Sequence, residues 1–165
     1  MPKFVRQGDN TLIGNNTFTG TNTFSGSLVA SGGVVGSVRR PVTEGTADTY
    51  ALATTDSGKV YVATKGSATQ TYTLPAVATA GVEFTFICGH ASGEILVTPQ
   101  ASEAIVMTSF AAVGADADTG IVAPAAGTGI KNTAATNAIG DSITLVSSGT
   151  KWFSVGITSG IWASQ

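Results

Sequence analysis

From Thr46 onward, short runs of β-branched and aromatic residues alternate with turn residues. Val82, Phe84 and Phe86 alternate with Glu83 and Thr85, and Val60 and Val62 with Tyr61. A period of two is the signature of a strand. The pattern predicts strands near Tyr50–Ala53, Lys59–Ala63, Gln70–Leu74, Glu83–Cys88, Ile95–Thr98, Ala104–Met107, Gly120–Ala123, Ser142–Ser147, Lys151–Gly156 and Gly160–Ala163. Between them lie turn sequences such as Asp56-Ser57-Gly58, Ala80-Gly81, Ser92-Gly93, Ser148-Gly149 and Ser159-Gly160. Residues Ala111–Asn137 are rich in Ala, Gly and Thr and read as long loops with one short strand. Many short strands with frequent turns predict an all-β fold, an antiparallel β-sandwich of jelly-roll type.

The first part of the chain follows a different period. Asn10, Asn16 and Asn22 recur every six residues, as do Thr11, Thr17 and Thr23, then Leu12, Phe18 and Phe24, then Gly14, Gly20 and Gly26. Each unit is an extended piece with one apolar anchor, closed by a glycine. Ordering six residues costs roughly 6–12 kcal/mol of backbone entropy, whereas burying one Phe returns about 1.5–3 kcal/mol. A single copy is therefore not self-sufficient, and several chains wrapped with their anchors inward would supply the missing contacts. Three is the number expected, so the repeat predicts an extended, fibre-like arm in a homotrimer, with Leu12, Phe18 and Phe24 as its packing residues. A flexible Thr/Gly/Asn linker and a left-handed hexapeptide β-helix are the competing readings.

Ser31–Gly45 reads as a connector, because Gly32-Gly33, Gly36 and Arg39-Arg40-Pro41 interrupt regular structure. The expected organisation is thus residues 1–45 as anchor, stalk and connector, and residues 46–165 as the β domain.

Composition narrows the function classes. Of 165 residues, 11% are charged, under half the usual share for a soluble domain. A sheet-rich chain with so few edge charges needs its surface covered, since bare edges and apolar faces recruit other molecules. Net charge is −2, and the eight basic residues form no stripe of the kind that neutralises phosphates, so nucleic acid is not an expected partner. No run of about 20 apolar residues offers a membrane-spanning helix. Met1–Asn10 has no apolar core of signal-peptide length.

Candidate chemistry is sparse. Cys88 is the sole cysteine and His90 the sole histidine, too few for a zinc centre. Two residues apart on a strand they would share a face, which is awkward for a nucleophilic pair, so Cys88 is expected in the core and His90 at a strand end or turn. Asp116-x-Asp118-x-Gly120 has the opening of a calcium loop, but Gly127 stands where the bidentate Glu is required. Paired carboxylates for hydrolysis are otherwise missing. No enzymatic activity, metal or cofactor is expected. Trp152 and Trp162 are expected to staple the C-terminal strands into the core.

Three segments carry a family resemblance: Thr49-Tyr50-Ala51-Leu52 through Asp56-Ser57-Gly58-Lys59-Val60; Tyr72-Thr73-Leu74-Pro75 with Ala80-Gly81-Val82-Glu83-Phe84; and Gly140-Asp141-Ser142-Ile143-Thr144-Leu145-Val146 with Gly149-Thr150-Lys151-Trp152 and Gly160-Ile161-Trp162. Their order resembles the β-rich virion proteins of bacteriophages, found as head fibres, capsid decoration or cement proteins, and tail-fibre tips. The Asn-Thr-Phe-Thr-Gly-Thr-Asn-Thr-Phe-Ser-Gly block is similar to the trimeric shafts of phage fibres. The resemblance implies a trimeric, non-enzymatic protein on the capsid surface that binds the major capsid protein and stabilises the shell. Phe4, Val5 and Arg6 are then the expected capsid anchor. The alternative is a tail-fibre or spike tip that binds host glycan through loop aromatics such as Phe110.

Overall fold

A computed structural model describes residues 19–20, 40–109, 120–122 and 126–165. The chain divides into two compact units, Met1–Ser37 and Val38–Gln165. All the strands described lie in the second.

The regular structure described in that unit is almost wholly strand, in two mixed sheets, as the alternating pattern requires of an all-β fold. The larger sheet has the order β1 (Val42–Gly45), β3 (Val60–Ala63), β5 (Glu83–Cys88), β10 (Ser142–Ser147), β11 (Trp152–Ser159), β7 (Ile105–Ser109) and β8 (Gly120–Val122). The smaller has β12 (Ala163–Ser164), β9 (Ile130–Asn132), β6 (Glu94–Thr98), β4 (Thr69–Thr73) and β2 (Thr49–Ala51). Thr54–Asp56 forms a single 3-10 turn.

Strand pairing departs from the antiparallel expectation. β1–β3, β3–β5, β2–β4, β4–β6 and β7–β11 are parallel. Antiparallel pairing joins β5–β10, β10–β11, β6–β9, β9–β12 and β7–β8. The physical reason is the chain path. From β1 to β6 each strand is followed by one in the opposite sheet, so parallel neighbours are connected through a strand across the core instead of a helix. The first six strands therefore wind as three rungs of a coil, and the later strands close it with antiparallel pairs. A Gly/Ser turn reports that the chain turns, not whether it folds back on its neighbour or crosses to the other sheet.

The hairpin at Ser148-Gly149 does fold back. Ser148 N donates to Lys151 O at 2.9 Å, the Ser148 hydroxyl accepts from Lys151 N at 3.1 Å, and Gly149 supplies φ +89°.

The expected boundary after residue 45 is corrected by β1, which falls inside the expected connector. Val42–Gly45 pairs in register with Val60–Ala63, so these residues belong with the β unit. Pro41 precedes the strand, where its missing N–H interrupts no ladder, and its carbonyl accepts from Val60 N at 2.9 Å. β9 likewise forms within the stretch expected to be loop.

The sheets share one core. Tyr61, Phe84, Phe86, Leu145 and Trp152 point inward from the larger sheet and Tyr72, Ile95, Val97 and Ile130 from the smaller. Aromatic rings cross the gap: Tyr72 lies 5.1 Å from Phe86 and 5.6 Å from Tyr61, and stacks on Tyr50 at 4.9 Å. Burial pushes the Tyr61 hydroxyl up to about 12, with the Asp56 charge adding to it. Trp152 and Trp162 are both buried, as expected of them; Trp162 Nε1 donates to Ser159 O at 3.0 Å.

Candidate interaction surfaces

Each sheet turns one face to the core and one outward, and the two outward faces are chemically unlike. On the larger sheet, the register places Val42, Val60, Thr85, Thr144 and Val155 in one row across five strands. A neighbouring row holds Glu83, Val146, Phe153 and Val106. Val62 and Ile87 stand side by side in a third, between Glu44 and Ser142. Val42 is 60% exposed, Phe153 38% and Val155 37%, the other aliphatic members being half-buried. Successive β-branched side chains cover one another on a pleated surface, which hides much of each but not the face as a whole.

Arg40, Glu83, Thr85 and Thr144 on this face are bonded to one another. Arg40 sends Nη2 to Glu83 Oε1 at 2.8 Å and to Thr85 Oγ1 at 2.9 Å, and Nε to Gly58 O at 3.0 Å. Thr85 and Thr144 share a hydroxyl hydrogen bond of 2.8 Å. Polar atoms satisfied in this way lose less when water is removed.

The outward face of the smaller sheet is hydroxylated and charged. Thr49, Thr71, Leu96 and Lys131 form one row, and Ala51, Thr73 and Thr98 another. Leu96 is its one large aliphatic residue among these positions. Glu94 accepts from Thr69 Oγ1 at 2.6 Å and pairs with Lys131 at 2.8 Å. Those bonds, Lys131 first and Thr69 next, hold the Glu94 carboxyl below the usual range. At the end of this face an open cleft of about 330 Å³ is lined by Ser67, Ala68, Thr69, Ser92, Glu94 and Ala134. Ser67 stands there at φ +58°, a conformation non-glycine residues adopt rarely.

Three buried polar side chains tie the elements together. Gln70 donates to Gly45 O at 2.8 Å and Ala47 O at 3.0 Å and accepts from Lys65 N at 3.1 Å, linking successive rungs. Asp141 accepts from Ala138 N at 2.9 Å and from Asn132 Nδ2 at 3.1 Å, while Asn132 also donates to Ile161 O at 3.0 Å. Gly160 lies against the Asp141 carboxyl, where an added Cβ would sit 2.1 Å from Cγ. These residues were not singled out from sequence, although Gln70 shares the inward period with Tyr72 and Leu74.

The expected site residues fare differently. Phe4, Val5, Arg6, Leu12, Phe18 and Phe24 lie outside the described residues, as do Phe110, Asp116 and Asp118. Cys88 is buried, and its thiol donates to the backbone carbonyl of His90 at 3.3 Å, not to the imidazole. Burial pushes the thiol up, against the nucleophilic direction. His90 is exposed in the following turn, its Nδ1 accepting from Ser92 N at 3.2 Å. Among the described residues no group of three or more His, Cys, Asp or Glu side chains is gathered as metal ligands, and no helix is long and apolar enough to cross a membrane.

No protein-family model matches the chain, and no curated protein matches it at a significant level.

Proposed function

We propose that this chain is a structural protein of a bacteriophage particle, without enzymatic activity or cofactor. It acts as a homotrimeric capsid decoration, cement or head-fibre protein that sits on the capsid surface. In this reading the N-terminal hexads are the trimeric stalk, Phe4, Val5 and Arg6 contact the major capsid protein, and the β unit is a sandwich-like, jelly-roll-related body standing on the shell. The observation that carries the reading is the outward apolar face of the larger sheet. Its aliphatic rows belong to a molecule that is completed by protein contacts, and the hexads with their single apolar anchors carry the same requirement.

The test is reconstitution on particles. Phage heads that lack the protein are mixed with the purified chain and sedimented. Recovery of the chain in the pellet at a fixed ratio to major capsid subunits is the expected result. A chain that stays in the supernatant overturns the capsid reading.

A second reading, a tail-fibre or spike tip that binds host glycan, is favoured by the hydroxyl-lined cleft around Thr69, Ser92 and Glu94. Hydroxyls and a carboxylate are the groups that sugars bond to. Binding to a glycan array supports this reading, and a flat array removes it.

A further inference from the structure

We infer that the outward face of the larger sheet is the contact by which β units of sister copies pack on one another. The inference rests on the trimeric reading above and names the surface that reading leaves open.

Three observations select a second copy of this chain as the occupant. The first is size. Six strands spaced about 4.8 Å apart and three residue rows about 6.6 Å apart give a face of roughly 24 by 13 Å, about 300 Å² in plan. A stable stand-alone interface takes about 800 Å² from each partner, so this face alone makes less than half of one. It suits partners that something else already holds together.

The second is the covalent link to the hexads. Arg40, two residues ahead of β1, is bonded to Glu83, Thr85 and Gly58 beside this face. In the trimeric reading, stalks bundled through their hexads tether the sister β units to one another. Such tethering raises the effective concentration toward the millimolar range, enough to occupy an interface below the stand-alone size.

The third is charge. Arg40 and Glu83 neutralise one another on the face, so two copies meet over a centre without net charge, Glu44 standing on the edge strand β1. Val42, Phe153 and Val155, its most exposed apolar residues, are the side chains that gain most from cover.

The test compares the full chain with full-length variants by light scattering at micromolar concentration, with circular dichroism as the check of folding. The double substitution Phe153→Glu and Val155→Glu is expected to lower the mass from three protomers to one. The matching change on the other sheet, Leu96→Glu, is expected to leave it at three. If the double variant does not fold, Val155→Thr, which keeps β-branching, is expected to raise the dissociation midpoint at least tenfold. A trimeric wild type whose mass and midpoint are untouched by changes at Phe153 and Val155 overturns this inference and leaves the trimer standing. A wild-type chain that is itself one protomer overturns the trimeric reading instead. Loss of capsid binding by the double variant with its trimer intact assigns the face to the major capsid protein and also overturns the inference.

Discussion

The two outward faces of the β unit are built by the same chain, from strands that follow one another across a common core, yet they differ in almost every property. The face of the larger sheet carries Val42, Val60, Val62, Ile87, Val146 and Phe153, with Arg40, Glu83, Thr85 and Thr144 bonded to one another and Glu44 on its edge strand. The face of the smaller carries Thr49, Thr71, Thr73 and Thr98 with the Glu94–Lys131 ion pair and one leucine. Sheets that face water on one side alternate apolar and polar residues, whereas strands covered on both sides are apolar throughout. By that rule the smaller sheet is of the water-facing kind, and the larger, whose outward rows are richer in aliphatic residues, is the one that the proposal above covers a second time with a sister copy. For that proposal the contrast between the faces is a sharper guide than overall composition.

The largest effect is expected where the two sheets meet. Phe86 touches Tyr61 in its own sheet and Tyr72 in the other, so Phe86→Ala should cost about 3–5 kcal/mol. If the faces are two sides of one core, urea unfolding of this variant stays a single transition for every probe. Separate transitions for the two sheets would break the comparison at its root.

A smaller loss is expected at Asp141, whose backbone carbonyl accepts from Cys88 N in the larger sheet while its carboxylate bonds Asn132 of the smaller. Asp141→Ala leaves Ala138 N and Asn132 Nδ2 without this acceptor, a loss of about 1–3 kcal/mol. The urea midpoint measures it; an unchanged midpoint would remove Asp141 as a link between the sheets.

The smallest is expected on the water-facing side. The Glu94 carboxyl is held below its usual range by Lys131 and Thr69. Its contribution is therefore complete above the unfolded glutamate value, roughly pH 4.3, and is lost as pH falls through the lower folded value. Glu94→Gln should cost no more than about 1 kcal/mol at neutral pH and flatten the acid limb of the stability profile. A variant as acid-sensitive as the wild type would show that the pair contributes nothing.

Much of this was readable in the chain, and the remainder was hidden for identifiable reasons. β5 and β10 lie within the predicted Glu83–Cys88 and Ser142–Ser147, because their inward residues, Phe84 and Phe86, and Ile143 and Leu145, alternate with smaller or polar ones. β1 was hidden by Arg40-Pro41, which breaks a strand only if the proline lies inside it. Parallel pairing was hidden because turn residues carry no record of which sheet receives the next strand. The apolar outer face was half visible: Val60-Tyr61-Val62 alternates in shape but is apolar at every position, so the pattern marks a strand without saying which side faces the core. Asn132 ends a three-residue strand too short to show a period and Asp141 lies just ahead of β10, and only the fold brings them within 3.1 Å.

The most direct test is hydroxyl-radical oxidation of the full-length wild-type chain across a dilution series. Phe153 on the larger sheet should be protected at high concentration and become reactive as the protein is diluted, while Leu96 on the smaller sheet keeps one reactivity throughout. Equal and concentration-independent oxidation of both residues would contradict the account.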